Sequence, residues 1–257
     1  MSKKKSSYPS FWPVFLTVMG ILVLNCALKY IGGLNVQNSA EKAINEYAQA
    51  NGYKRSDYPD ELVNLLESND ETKDFVLNYP KRKSDASSEN INMSQYKGCT
   101  QPPLLMQWDD RWGYSDYNGS IMGLSGSAPV CLSMTAIYEL QDVSMTPVYI
   151  AKLAAENEWE NNPDKLLSDG ARSLGMEVTQ IPVNESRLKQ ALESGNTVIC
   201  ITDGKSMNSV IVIYGRDDSG KYKINDPMSR SNSERTYTYS EMGKYFKKMW
   251  GYSGNAE

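Results

Sequence analysis

Histidine is absent from all 257 residues of this chain. It is the one side chain whose unperturbed pKa lies near neutrality, and cysteine and serine nucleophiles commonly rely on it as their base. Its absence excludes any Cys-His or Ser-His pair. Cysteine is scarce as well: Cys26, Cys99, Cys131 and Cys200 are scattered without metal-ligand spacing. With no imidazole to complete a zinc set, neither a metal nor any other cofactor is expected. Cys131 and Cys200 sit in apolar runs and read as buried thiols. A disulfide among Cys99, Cys131 and Cys200 stays open if the domain is exported. Basic charge is not in excess either, since 27 Lys and Arg stand against 31 Asp and Glu, a net charge of −4. The clustered basic face that nucleic acid requires is missing, which excludes it as a partner.

What remains is ordinary globular material, 40% hydrophobic and 23% charged, enough for one folded domain with appendages. Lys3, Lys4 and Lys5 precede an apolar run from Phe11 to Ile31 that is long enough to span a bilayer. The sequence thus predicts a short cytoplasmic tail over 1–10 and a single-pass signal-anchor over 11–31. The lysines would hold the N-terminus inside the cell membrane and the remainder outside it. Residues 32–98 read as a helical stalk and cap with a linker, and 99–257 as the main domain.

Local signals place the elements. Asn38 and Glu41 mark a stalk helix to about Asn51, Pro59 opens a second helix, and Glu71 to Tyr79 forms a third. Pro80 to Asn92 reads as an exposed linker whose charges form a solvated face. Thr146-Pro147 starts a helix, and Asp164 to Leu174 makes another. The second half turns to strands at Glu177–Ile181, Thr197–Ile201, Val210–Tyr214, Tyr222–Asn225 and Thr236–Tyr239, with Asn184 capping a helix between the first two. Ser240 is expected to cap a last helix carrying Tyr245, Phe246 and Trp250.

The chain is organised around Ser125-Gly126-Ser127-Ala128-Pro129-Val130-Cys131-Leu132-Ser133-Met134, a small-residue turn feeding an apolar helix. The N-terminus of such a helix stabilises negative charge, which is where a hydrolase places its nucleophile and part of its oxyanion site. Together with Leu104 to Tyr114, Tyr58-Pro59-Asp60-Glu61-Leu62 and Asn225-Asp226-Pro227, this stretch resembles the membrane-anchored branch of cysteine peptidase family thirty-nine. Those proteins are relatives of the bacteriocin-leader peptidases, and the resemblance runs from about Tyr58 to about Trp250. It implies an α+β, papain-like fold with a helical first half packed on an antiparallel sheet.

The family carries Gly-Cys-Gly-Pro where this chain reads Gly126-Ser127-Ala128-Pro129, and its catalytic histidine opens the strand that here begins at Ser209. By the resemblance, Ser127 stands at the nucleophile position, Ser209 at the base and Asp226 at the acid that orients the base. Gln107 takes the place of the oxyanion donor. Both reacting positions are replaced, and Ser209 cannot act as a base near neutral pH. The loop Trp159 to Pro163, which lines the cleft in the family, is short and polar here. The expectation is a pseudopeptidase that holds a peptide or protein partner outside the membrane, such as an active paralogue or a leader-bearing precursor. One alternative is a hydrolase built on Ser127 with an unconventional base, for which Lys205 is the candidate. The other is a structural docking module of a membrane complex.

Overall fold

The computed structural model describes residues 39–84, 91–204 and 209–254. Among the described residues, three helices, α1 (Ser39–Asn51), α2 (Asp60–Ser68) and α3 (Lys73–Arg82), come first. Each has one apolar stripe, and Ala40, Ile44, Leu62, Leu66, Phe75 and Val76 close on one another and on Met106, Trp108 and Tyr114. Tyr114 stacks on Phe75 with ring centroids 4.5 Å apart and donates its hydroxyl to the Phe75 carbonyl at 2.9 Å. So α1 is no free stalk: Ala40, Ile44 and Ala48 are buried. Helix α3 continues through Pro80 to Arg82, because a proline this near the C-terminal end removes only one intrahelical hydrogen bond. Arg82 then pairs with Asp110 at 3.2 Å and lies over the Tyr114 ring, so it belongs to the packed surface and not to a solvated linker.

A short hairpin, β1 (Asp116–Tyr117) and β2 (Ser120–Ile121), leads through α4 (Met122–Ser125) into the central helix α5 (Ser127–Glu139). Helix α6 (Pro147–Glu156) follows, with the Thr146 hydroxyl accepting from the Tyr149 N–H as its cap. The next helical run, α7 (163–173), contains a π turn at Leu166–Gly170. Six antiparallel strands then make one sheet in the order β3-β8-β4-β5-β6-β7. They are β3 (Met176–Ile181), β4 (Thr197–Thr202), β5 (Val210–Arg216), β6 (Tyr222–Asn225), β7 (Thr236–Tyr237) and β8 (Phe246–Gly254).

Both faces of the sheet are covered. Ile199, Val212, Trp250 and Tyr252 meet the buried side of α5, while Val198, Cys200, Ile211 and Met249 meet Leu188 of α8 (Glu185–Glu193) on the other side. Two-sided burial is why β4 and β5 read as continuous apolar runs instead of alternating ones. At the end of α5, Glu139 accepts from the Thr197 N–H and hydroxyl and from the Gly254 N–H, pinning β4 and β8 to the helix. Burial pushes its carboxyl above the usual range against those hydrogen bonds.

The architecture corrects the fold expected from the resemblance. The described residues form a mixed helix-and-sheet protein, not a papain-like domain with a helical half set on a strand half. A hairpin precedes the central helix, and helices α8, α9 (Arg230–Ser233) and α10 (Tyr239–Met242) are interleaved with the strands. No helix among the described residues is long and apolar enough to cross a membrane, and the expected anchor, 11–31, lies outside them. The largest local difference is at the C-terminus. Instead of a helix bearing Phe246 and Trp250, residues Phe246–Gly254 are the longest strand, inserted between β3 and β4. Aromatic side chains, here Phe246, Trp250 and Tyr252, favour a pleated, packed surface, and the edges of β3 and β4 needed a partner there.

Candidate functional site

The site is assembled from three separate pieces of chain. The first is the turn into α5. Asn118 and Gly119, at φ 51° and 70°, form the two-residue turn of the hairpin, a pair favoured where both central residues must be left-handed. The chain then approaches itself closely. A Cβ at Gly126 would stand 2.5 Å from the Met122 carbonyl oxygen, so only glycine fits the residue before Ser127. Pro129 is the third residue of α5, inside the first turn, where its missing N–H costs no intrahelical bond.

The second piece is the residue that leads into β5, Ser209, whose hydroxyl oxygen lies 3.1 Å from that of Ser127. Ser127 is 7% exposed, whereas Ser209 is open to solvent. Across β5 the Cys131 thiol, one helical turn below Ser127, donates to the Val210 carbonyl at 3.4 Å. Burial pushes this thiol far up, with the charges of Asp226 and Cys200 adding to the shift, and burial does the same to Cys200. Cys99, Cys131 and Cys200 are all free, which leaves the buried-thiol reading of Cys131 and Cys200 in place and gives the three no disulfide.

The third piece is the turn after β6. Asp226 is fully buried, and its carboxylate accepts from the Met228 N–H and the Asn232 side-chain amide, each at 2.9 Å. Asn225 donates to the carbonyls of Pro102 and Pro103 at 2.9 and 3.3 Å. The Gln107 N–H donates to the Pro227 carbonyl at 2.8 Å, and its side-chain amide donates to the Gly123 carbonyl at 3.0 Å. Trp108 donates its indole N–H to the Met228 carbonyl and lies under Arg230, while Trp112 is buried in the core.

Between the first two pieces opens a cleft of about 180 Å³, lined by Tyr117, Asn118, Ser125, Ser127, Ala128, Glu160, Asn161, Pro163, Ile201, Ser209 and Val210. Ser127 and Ser209 therefore face each other across it. Gln107 and Asp226 sit in the packed layer behind, and neither forms part of the lining. The Tyr117 phenol is pushed up by burial and then by the charge of Glu160, so it stays protonated. Lys205 lies outside the described residues. No group of His, Cys, Asp and Glu among the described residues could hold a metal ion.

Tyr117 and Asn118 also belong to the site, and their signal in the sequence is Asn118-Gly119 between apolar-polar pairs, a strong hairpin pattern. Glu160 belongs to the short polar loop Trp159 to Pro163. The loop nevertheless reaches the cleft, because Trp159 packs against the core and anchors it. No family model, curated protein or solved structure matches this chain.

Proposed function

We propose that this chain is a catalytically degenerate relative of the family-thirty-nine cysteine peptidases, one that holds a peptide or a segment of a protein partner without cutting it. The observation that carries the reading is the 3.1 Å approach of the Ser127 and Ser209 hydroxyls. They occupy the positions that the resemblance gives to the nucleophile and its base. Two neutral hydroxyls cannot divide a proton as thiol and imidazole do. Helix α5 contributes only about 0.3–2 kcal/mol of charge stabilisation at its N-terminus, far too little to ionise a serine. In a hydrolase of this logic the loss of nucleophile or base costs on the order of a million-fold in turnover. A cleft lined by both polar residues (Asn118, Glu160, Asn161) and apolar ones (Ala128, Ile201, Val210) still offers an extended peptide hydrogen bonds and a side-chain pocket.

Two measurements test the reading. The purified chain is treated with a fluorophosphonate and read by intact mass beside Ser127→Ala. An unactivated serine stays unlabelled, and labelling that disappears in the variant would make the protein a serine hydrolase instead. The chain is also incubated with a pool of unstructured decapeptides beside Ser209→Trp, whose bulky side chain closes the cleft from an exposed position. Retention of peptides by the parent and its loss in the variant is the expected result. Equal retention would move binding away from the cleft, towards a docking role for the outer surface.

A further inference from the structure

We infer that the cleft selects a cationic side chain, a lysine or arginine of an extended peptide, against Glu160. This deepens the peptide-binding reading and rests on it. Among the described residues that line the cleft, Glu160 is the only charged one. Its Oε1 accepts from the Asn118 N–H at 3.0 Å, which orients the carboxylate without neutralising it. No ion pair among the described residues engages it. Asp164, next to the cleft, is by contrast paired with Lys248. A charge that no described residue pairs stands where a ligand would lie.

The carboxylate is also held in place. Trp159 donates its N–H to the Ala154 carbonyl at 2.8 Å, and Asn162 returns its N–H to the Trp159 carbonyl at 2.9 Å, closing a tight loop around Glu160. On the opposite side, the Asn118 N–H comes from the tip of a two-residue hairpin. A preorganised carboxylate loses little on binding, which is where selectivity comes from. Ile201, Val210 and Ala128 give the methylene stem of a long side chain an apolar surface, and the head group then reaches the carboxylate, as amphipathic side chains do. The Ser127 and Ser209 hydroxyls, bonded to each other, line the same cleft. A cleft of about 180 Å³ falls below the roughly 300–1,000 Å³ of small-molecule pockets and suits one long side chain.

The test uses three fluorescein-labelled decapeptides of alanine and serine that differ at one central residue: lysine, norleucine or glutamate. Their affinities for the full chain, for Glu160→Gln and for Ser209→Trp are measured by fluorescence anisotropy. The expected result is lysine at least tenfold tighter than norleucine, glutamate weakest, and a lysine-to-norleucine affinity ratio that falls to about one in Glu160→Gln. That variant keeps the Oε1 acceptor for Asn118, and its thermal unfolding should match the parent. Equal binding of all three peptides, lost in Ser209→Trp, would overturn the charge selectivity and leave the peptide-binding reading standing. A lysine preference that survives in Glu160→Gln would assign it to another acid and overturn the inference. No binding by any peptide would overturn both.

Discussion

Ser127 and Ser209 are separated by 82 residues of chain and by 3.1 Å of space. Restoring a thiol and an imidazole to these two positions should therefore restore their chemistry in part. At pH 7, Ser127→Cys combined with Ser209→His is expected to be alkylated by iodoacetamide in the residue-127 peptide at least tenfold faster than Ser127→Cys alone, because a neighbouring imidazolium lowers a thiol pKa. Equal rates would mean that the two side chains do not face each other. The buried Cys131 and Cys200 should stay silent in both variants, their thiols pushed up by burial. Gly126 carries a stability prediction at the same scale. Its replacement by alanine places a methyl 2.5 Å from a backbone oxygen that cannot swing aside, and should cost about 1–3 kcal/mol in urea unfolding.

Among the elements, the N-terminal helices and the turn after β6 are joined by one carboxylate. Glu71 accepts from the Ser229 and Ser231 hydroxyls and from the Arg230 and Ser231 N–H groups, at 2.8–3.1 Å. Asn69 adds a bond to the Met228 carbonyl. Burial works against the charged form of Glu71, but the four hydrogen bonds outweigh it and hold its carboxyl below the ordinary value of 4.5. A carboxyl depressed by folding contributes stability that is present above its unfolded pKa and lost as pH falls through the folded one. Glu71→Gln should thus cost about 1–2 kcal/mol at pH 7, the low end for charged hydrogen bonds because the group is partly in water. Parent and variant should converge in stability as pH drops below 4.5, which denaturant titrations at a series of pH values would show. The individual elements were legible in sequence wherever a local signal names a boundary. Thr146-Pro147 opens α6, Asn184 caps α8 by accepting from the Arg187 N–H, and the Asp217 to Gly220 turn joins β5 to β6. Phe246–Gly254 was not legible, because its apolar spacing fits a helix as well as a strand and no turn residue decides between them.

For the molecule as a whole, β8 is the piece on which the sheet depends, since it bonds to β3 on one side and β4 on the other. Trp250 is 3% exposed, and truncating it to alanine should cost about 3–5 kcal/mol by urea unfolding. The sequence by itself excluded imidazole chemistry, because absence from the chain is absence from every fold it could adopt. It also marked most helices and strands, since caps, prolines and hydrophobic periods act within a few residues. Only the tertiary structure decided that the C-terminal segment is a strand between β3 and β4 and that α1 is packed. It alone joined Glu71 to the Asp226 turn, and it alone brought Glu160 into the lining of the cleft with Ser127 and Ser209. Pairing partners, burial on both faces and the balance of charge at a cleft depend on residues far apart in the chain, and no local pattern encodes them.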